Sequence, residues 1–513
     1  MGKDAAAMGQ LPTGVTVVQT GDVGAERWLR FRPVAGGVYT NLTTYEDLKV
    51  QDPDIVYQRQ EPHWILPEVL AGGTLAMRAQ RELFLPRFPR EKQENYDTRL
   101  AAAVCPPYYL RLERMLVGML TRKPIVLTGV NDSMLDHMQD IDMMGSNLDV
   151  FLRKVAQLDI RFGHVGTLVD MPRGDEGDST PVTEFFRPYW VPYSARQILG
   201  GRYDIVGGQK KLVLLRLLET PIVAHGDYGY EVVQQVRVLR PGSYQLFRKQ
   251  ESTASEWKEL TDGETPTYID EIPFVVAYAN QIQDLESRPP LEDAAHLNAQ
   301  AYRCLSDQDT LLRVAAVPRY NVFGAPAEVE EIESGPNSAT AWPVDARTEF
   351  TEPVGTSYQY RFEQIDRIEK QIAELGMAQV MGQNYTNASA EARHIDRSQG
   401  DSPLQSVAMG LQNMVNECLR YHGLLMNITD YGSCEINKDF VAARLDPAIV
   451  QQMIQLEANG KITQETLLRI LQSGEWMPDG FDVAFEVEAT AQARARALAE
   501  QQAQLDASTQ GLP

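Results

Sequence analysis

Two stretches of the sequence decide the fold prediction: TSYQYRFEQIDRIEKQIAEL at residues 356–375 and SPLQSVAMGLQNMVNECLRYHGLL at residues 402–425. In both, apolar residues recur at steps of three and four, which is typical of helices with one apolar face. The first stripe consists of Tyr358, Phe362, Ile365, Ile368, Ile372 and Leu375. The second consists of Leu404, Val407, Leu411, Met414, Val415, Cys418, Leu419 and His422. The simplest interpretation is a helical hairpin in an ordinary core.

The ends of both helices carry cap signals. Gly376 is predicted to end the first helix as a C-cap. Ser402, Pro403 and Gln405 fit the N-cap, N1 and N3 positions of a capping box, so the second helix should begin there. Between the helices, residues 377–387 contain no Lys, Arg, Asp or Glu. The sequence therefore predicts a polar, uncharged loop between two capped helices.

Composition excludes several classes of protein. The chain has 513 residues and a formal net charge of −22, so it lacks the basic character of proteins that grip nucleic acid phosphates. An acidic wall could still let DNA pass without adhesion, because like charges repel. No stretch approaches the roughly 18 apolar residues of a membrane span, and the N-terminus has no apolar signal sequence. The four cysteines are far apart and are expected to be reduced core thiols, which fits a reducing, cytoplasmic site of assembly.

The sequence contains no motif for catalysis. It has no phosphate-binding GxxxxGK[ST] loop, no HExxH and no GxSxG. Asp140 and Asp142 could bind a metal, but a pair of acids at a polar turn usually caps backbone or faces water. His422 lies on an apolar stripe and is interpreted as a core or interface residue. We expect no cofactor and no metal site.

An arginine-rich section allows two interpretations. Arg78, Arg81, Arg87, Arg90 and Arg99 could contact phosphate. The interleaved Glu82, Glu91 and Glu94 favour an ion-paired surface that faces another subunit.

The remaining pattern predicts an α+β chain. Helices are expected at 109–121, 148–161 and 291–316, and after Asp446 and Thr463. Strands are expected at 167–170, 189–191, 211–218, 230–239, 244–247, 274–276, 434–440 and 481–487. Residues 317–355 form a Pro-rich acidic insert in which a strand at 319–323 is plausible.

The order of these elements resembles that of the portal proteins of tailed bacteriophages, in the subgroup catalogued as a phage domain of unknown function. Single motifs are weak, whereas their order over roughly residues 70–490 is fairly specific. The matching residues are Tyr96-Asp97-Thr98-Arg99-Leu100, Asp140-Ile141-Asp142, Gly145-Ser146-Asn147-Leu148, Phe151, Leu168-Val169-Asp170, Arg187-Pro188-Tyr189-Trp190, Pro289-Pro290-Leu291, His296-Leu297-Asn298, Asn387-Ala388-Ser389-Ala390 and Ser402-Pro403-Leu404-Gln405.

The resemblance implies a portal fold: a ring, usually of twelve copies, around a channel for double-stranded DNA. It implies the following division: an N-terminal segment 1–60, an α/β wing 61–290, stem helices 291–316 and 356–376, a clip 317–355, a tunnel loop 377–388, a long kinked wing helix with a return strand 389–445, a crown side 446–488 and a flexible tail 489–513.

Roles for individual residues follow only from this resemblance. The tunnel loop would place Gln379, Met381, Gln383, Asn384, Tyr385 and Asn387 at the DNA. The clip would present Glu328, Glu330, Glu331 and Glu333 to partners. Tyr358, Phe362, Ile365 and Ile372 would form the subunit interface. Because the loop has no Lys, it cannot grip phosphates electrostatically.

The implied partners are the terminase large subunit, the major capsid protein and a head–tail adaptor, with no membrane. The implied location is the portal vertex of a virion, where the ring would serve genome packaging and ejection. Two alternatives stay open: another virion component such as an adaptor or minor capsid protein, and an acid-residue hydrolase.

Overall fold

A computed structural model gives the structure of the chain. It describes residues 48–172, 187–249, 257–261, 263–315, 319–324, 347–351, 356–381, 402–438, 440, 447–459, 461–473, 477 and 481–509. The chain divides into two compact units, residues 1–438 and 439–513. The mixture of helices and small sheets confirms the predicted α+β class.

The helices of the first unit are α1 Ile55–Ala71, α2 Gly73–Ala79, α3 Gln93–Ala102, α4 Tyr108–Leu120, α5 Asp132–His137, α6 Leu148–Phe162, α7 Glu292–Ala315, α8 Thr356–Met381 and α9 Pro403–Leu425. The predicted helices at 109–121, 148–161 and 291–316 are confirmed to within one residue at each end. Residues 173–183, which are rich in Asp, Gly, Ser and Thr and are expected to form a mobile loop, lie outside the described residues.

The strands of the first unit are β1 Val126–Val130, β2 His164–Asp170, β3 Tyr189–Ser194, β4 Ile198–Val206, β5 Gln209–Glu219, β6 Ile222–His225, β7 Gly229–Val232, β8 Gln235–Arg240, β9 Ser243–Lys249, β10 Trp257–Glu259, β11 Thr265–Pro266, β12 Phe274–Tyr278, β13 Gln281–Gln283, β14 Glu286–Ser287, β15 Arg319–Phe323, β16 Arg347–Thr351 and β17 Tyr431–Glu435. The single strand predicted at 230–239 is two strands, β7 and β8.

Two antiparallel sheets carry the main core. The larger has the order β10-β9-β8-β5-β4, with β11 added to β9, and the smaller has the order β12-β2-β3. Apolar side chains of both sheets, among them Leu168, Leu215, Leu217, Leu239 and Phe274, form one buried cluster. Helix α6 packs on β2 and β3, and α9 packs on β12, β2 and β17. Helix α7 packs on α1, α3, α4 and α8.

Helix α1 is missing from the sequence prediction. Its N-cap is Asp54, whose side chain accepts a hydrogen bond from the backbone N–H of Tyr57 (2.9 Å). Pro62 and Pro67 lie inside the helix and obscure its pattern, since each removes a backbone donor. Burial of Trp64 and Leu70 against the core offsets that loss. The predicted featureless segment 1–60 therefore ends inside a core helix.

The return strand was predicted at 434–440 and lies at 431–435 instead, where it pairs with β1. Gly432 has a φ of 63°, and a Cβ there would lie 2.5 Å from the carbonyl oxygen of Thr128. Glycine thus permits the close approach of β1 at the start of the strand. After the strand, the N–H of Ile436 donates to the side chain of Gln412 on α9 (3.2 Å). That side-chain bond replaces further strand pairing.

The second unit is helical in its described part, with α10 Pro447–Ala458, α11 Gln464–Ser473 and α12 Val483–Thr509. The helices predicted after Asp446 and Thr463 are confirmed, and Thr463 caps α11 through the N–H of Thr466 (3.2 Å). The strand predicted at 481–487 is wrong. Asp482 accepts hydrogen bonds from the N–H groups of Ala484 (2.9 Å) and Phe485 (3.1 Å), so it caps α12. Helix α12 crosses the predicted tail boundary at 489.

Candidate functional site

The candidate site is the pair of long helices α7 and α8, together with the strand pair β15–β16 between them in sequence. Strand β15 follows α7 and β16 precedes α8, and they pair antiparallel from Arg319↔Thr351 to Phe323↔Arg347. The strand expected at 319–323 is thereby confirmed. The acidic residues Glu328, Glu330, Glu331 and Glu333 lie outside the described residues.

The first turn of helix α7 is joined to helix α1. Glu292 and Asp293 occupy its first turn, where the helix dipole favours negative charge. Burial would raise the pKa of Glu292, but its hydrogen bond with His63 and the positive charges around it hold that pKa below its usual value. The start of α7 is therefore joined to α1 by a charged hydrogen bond.

One turn further, Asn298 fastens α7 to α4. Its side chain is fully buried, and its Oδ1 accepts the backbone N–H of Tyr109 (2.8 Å). Its Nδ2 donates to the carbonyl oxygen of Pro106 (3.0 Å). Removing such a buried partner leaves an unsatisfied backbone group at a cost of about 1–3 kcal/mol. The sequence offered no signal for this role beyond an amide on an otherwise apolar helix face.

Asp307 connects α7 both to α8 and to the body. Its carboxylate lies 3.5 Å from the Arg361 guanidinium of α8 and 3.9 Å from that of Arg99 on α3. Arg99 is buried and donates to both carboxylate oxygens of Glu91 (3.0 and 2.9 Å). The hydrogen bond from Arg99 holds the pKa of Glu91 below its usual value. Arg99 and Glu91 thus form a buried ion pair beside the partly exposed Asp307 in the middle of α7.

Ion pairs within the chain bear on the two interpretations of the arginine-rich section. Arg81 pairs with Asp97 (2.6 Å), and Arg87 lies 3.9 Å from Glu82. Together with the Arg99–Glu91 pair, these contacts place the guanidinium groups of three arginines beside carboxylates of the same chain. Three of the five arginines thus lie in ion pairs, as the ion-paired interpretation expects, while Arg78 donates to the carbonyl oxygen of Ala103 (2.8 Å). That this surface faces another subunit stays a prediction.

The apolar stripe of α8 is divided between two environments. Ile365, Ile368 and Ile372 are buried within the chain, where α8 packs on α4, α7 and α9. Phe362 is 48% exposed and Tyr360 is 73% exposed. Tyr358 lies in the first turn of the helix. Contacts inside one chain therefore already account for Ile365 and Ile372, whereas Phe362 keeps an uncovered surface.

Gly376 does not end α8, so the predicted C-cap is wrong. The helix continues to Met381 and includes Gln379. A Cβ at position 376 would lie 2.3 Å from Cδ1 of Leu112 on α4. Glycine here provides close helix packing instead of a turn. The predicted loop loses its first residues to the helix, and Gln383, Asn384, Tyr385 and Asn387 lie outside the described residues.

Helix α9 begins as predicted. The Ser402 side chain accepts the N–H of Gln405 (3.2 Å), and the Gln405 side chain accepts the N–H of Ser402 (2.9 Å). All eight stripe residues from Leu404 to His422 are buried. The capping box and the stripe are both confirmed.

His422 is a hydrogen-bonded core residue. Trp190 Nε1–H donates to His422 Nδ1 (3.3 Å), which places the His422 proton on Nε2, opposite His137 Nδ1 (3.0 Å). Burial, the neighbouring His137 and Arg187 lower the pKa of His422 to about 3. The ring is therefore neutral at neutral pH and links α9 to β3 and α5.

The hydrolase alternative needs a general acid in a cleft, and Glu292 does not suit that role. A cleft of about 930 Å³ beside the starts of α7 and α9 contains Glu292, Asp293 and Arg288. A general acid needs a raised pKa, whereas that of Glu292 is lowered. Asp140 and Asp142 cap a turn by accepting the N–H groups of Gly145 (2.6 Å) and Ser146 (3.0 Å).

Two further searches concern metals and membranes. Among the described residues, no cluster of three or more His, Cys, Asp or Glu side chains is arranged to hold a metal ion. Within the same residues, no helix has both the length and the apolar character that crossing a bilayer requires.

Comparison with known sequences gives one family match. Residues 290–423 match a family described as "Domain of unknown function (DUF4055)". This range covers α7, β15, β16, α8 and most of α9. No curated protein matches the sequence.

Solved structures give remote similarities. The chain is similar to a component of "Neck of native GTA particle computed with C12 symmetry" (11% identity, 75% of this chain, 93% of that chain, TM-score 0.38). It is also similar to chains of "Virion of native gene transfer agent (GTA) particle" (10%, 78%, 99%, 0.39) and "Neck of empty GTA particle computed with C6 symmetry" (11%, 78%, 98%, 0.38). At these TM-scores the similarity carries no argument about fold or function.

Proposed function

We propose that this chain is a portal-type protein, a non-enzymatic subunit of a ring that surrounds double-stranded DNA at one vertex of a phage capsid. The observation that carries the proposal is the α7–α8 pair. Its base is fastened to the body by Asn298 and Asp307, and a strand pair lies between the two helices. The sequence resemblance assigns the stem and clip of a portal to these same residues.

Uncovered aromatic residues on α8 support ring formation. Phe362 and Tyr360 are large, mostly apolar side chains that a single chain leaves in water. Aromatic residues are enriched where subunits meet. Residues 360 and 362 are two positions apart and so lie about 200° apart around the helix, which places their side chains on different sides of α8. In the proposed ring, Phe362 packs against the next copy, with Tyr358 one turn before it, and Tyr360 adds a second contact on the other side of the helix. Ile365 and Ile372 support the interface from inside the chain.

The net charge of −22 suits passage of DNA better than its retention. In the proposal, residues after Met381 narrow the channel through Gln383, Asn384, Tyr385 and Asn387. Gln379 and Met381 belong to the last turn of α8. Polar uncharged side chains there would contact DNA without forming ion pairs with phosphate.

The proposed partners bind at the strand pair and at the outer body. Glu328, Glu330, Glu331 and Glu333 would meet a basic surface of the terminase large subunit and later of a head–tail adaptor. Charge complementarity of this kind mainly sets the association rate and the choice of partner. The major capsid protein would surround the body at the portal vertex of the virion.

The proposal is tested by the mass and shape of the purified full-length chain. Sedimentation velocity and negative-stain electron microscopy should show closed rings of about twelve copies with a central channel. A monomer at micromolar concentration, or an open filament, would contradict the proposal. A small closed oligomer without a channel would favour an adaptor or minor capsid protein.

A further inference from the structure

We infer that two exposed hairpins at opposite ends of β5 dock onto each other between neighbouring copies of this chain. This inference rests on the proposed ring and names one of its contacts outside α8. The first hairpin joins β4 to β5, and the second consists of β6 and β7.

The β6–β7 hairpin exposes a continuous apolar face. Ile222 lies directly opposite Val232, and Ala224 lies opposite Tyr230, so these four side chains share one face. Ile222 is 68% exposed and Tyr230 is 79% exposed, and every residue from 222 to 230 is exposed. An isolated two-stranded hairpin is marginally stable in water. This face therefore requires a partner surface.

The β4–β5 turn carries a matching surface. Ile205 is 81% exposed and Val206 is 49% exposed at the end of β4. Residues 202–211 contain Arg202, Lys210 and Lys211 against Asp204, a net charge of +2. Residues 220–234 contain Asp227 and Glu231 with no Lys or Arg, a net charge of −2. Each surface thus offers apolar side chains beside charged ones. Those of the β6–β7 hairpin are acidic, and the cations of the β4–β5 segment lie in partly exposed ion pairs with Asp204, Asp284 and Glu271 of the same chain.

Charge orients this contact, and the apolar side chains supply its affinity. Lys210 and Lys211 already lie near acids of their own chain, 2.5 Å from Asp284 and 2.8 Å from Glu271. Such partly exposed ion pairs contribute little to the stability of the fold, so these lysines can exchange their partners for acids of a neighbouring copy. Two β6–β7 hairpins facing each other would bring like charges together, which disfavours a symmetric dimer.

The positions of the two surfaces suit a ring. Strand β5 has 11 residues, so its ends lie about 36 Å apart. A head-to-tail contact needs two different complementary surfaces on each copy, and it closes into a ring when the rotation between copies permits. The occupant of the β6–β7 face is therefore the β4–β5 turn of the next copy.

Cross-linking of the assembled full-length protein tests the contact. The double variant Ile205→Cys with Tyr230→Cys is treated with a short bismaleimide and separated on a denaturing gel. A head-to-tail contact predicts a ladder of covalent species that extends beyond the dimer to the full copy number. Each single variant should give no ladder.

Two controls address other thiols and random collisions. The unmodified protein has four free cysteines, of which Cys105, Cys418 and Cys434 are buried and Cys304 is partly buried. Treating it with the same bismaleimide measures the background reaction of these thiols. The pair Ile205→Cys with Ile282→Cys places the second thiol on β13, at a residue that is 56% exposed. This pair should not form a ladder.

The outcomes separate the inference from the proposed function. Rings that assemble but give no ladder overturn the inference and leave the proposed function standing. Efficient dimers from Tyr230→Cys alone indicate a symmetric contact and also overturn it. If the unmodified chain does not assemble, both fall. As an independent measure, Ile222→Lys should weaken assembly at least tenfold without loss of the folded monomer.

Discussion

Helices α8 and α9 have similar apolar stripes in sequence, but the chain covers them differently. Every stripe residue of α9 is buried, including His422. On the stripe of α8, Ile365, Ile368 and Ile372 are buried, while Phe362 is 48% exposed. The same periodic pattern thus produces a fully buried stripe on α9 and, on α8, a stripe that is uncovered at Phe362. We place a neighbouring copy at this uncovered position.

The largest expected effect is on the core helix. Leu411→Ala on α9 should lower the free energy of unfolding by about 2–5 kcal/mol, because it leaves a cavity at a fully buried position. Urea denaturation of the first unit measures this. Met409→Ala, at a position on the same helix that is 38% exposed, is the matched control and should cost less than about 1 kcal/mol. Equal losses for both variants would show that α9 is not a core helix.

Acid should weaken α9 more than α8. The pKa of His422 is lowered to about 3 by burial and nearby charge, and that of His164 to about 3 by burial. The unfolded chain binds these protons near pH 6.5. The free energy of unfolding therefore rises with pH between about 3 and 6.5. At pH 5, each of these two histidine side chains lowers it by roughly 2 kcal/mol relative to neutral pH.

The variant His422→Gln tests the contribution of one of these two histidines. Its amide can still accept from Trp190 and donate to His137. We expect the difference in stability between pH 7 and pH 5 to shrink by about 2 kcal/mol. An unchanged pH dependence would mean that His422 is not held neutral.

The effect of Gly376→Ala on the free energy of unfolding should change sign with the residue at position 112. Alanine favours a helix interior by about 1 kcal/mol over glycine, but a Cβ at this position meets Leu112 at 2.3 Å. Gly376→Ala alone should destabilise by about 1 kcal/mol, since overpacking outweighs helix propensity. In a Leu112→Ala background, the same change should stabilise. A double-mutant cycle on the unfolding free energies measures the coupling, and additive effects would contradict the close packing.

The capping box at the start of α9 should give a smaller loss. Ser402→Ala removes the acceptor for the Gln405 N–H and should cost about 1 kcal/mol. Thr463→Ala removes the corresponding cap of α11 in the second unit. Amide hydrogen exchange should become faster only in α9 for Ser402→Ala and only in α11 for Thr463→Ala if the two caps act separately. A response of both helices to one variant would contradict it.

Local signals in the sequence predicted what local interactions decide. The start of α9 follows from Ser402, Pro403 and Gln405, and the stripes of α8 and α9 follow from helical periodicity. The end of α8 did not follow, because Gly376 serves a contact with Leu112, which is distant in sequence. Helix α1 was missed because Pro62 and Pro67 contradict local propensity and burial of Trp64 overrides it.

The strand predicted at 481–487 failed for a related reason. Alternating Phe481, Val483, Phe485 and Val487 match a strand period, but the Asp482 cap and the Ala-rich sequence that follows favour a helix. In the candidate site, the helices α7 and α8 were predicted, whereas the side chains that join them to the rest of the chain were not. Asn298 and Asp307 act through partners on other elements, which no spacing in the sequence reveals.

The central claim is that the exposed aromatic residues of α8, Phe362 on the apolar stripe and Tyr360 on another side of the helix, hold neighbouring copies together. The double variant Tyr360→Ser with Phe362→Ser tests it most directly, because both side chains are exposed in a single chain. Sedimentation velocity at a fixed protein concentration should show loss of rings. In urea denaturation, the free energy of unfolding of the monomer should stay within about 0.5 kcal/mol of that of the unmodified chain. Rings of unchanged mass and stability in this variant would contradict the claim.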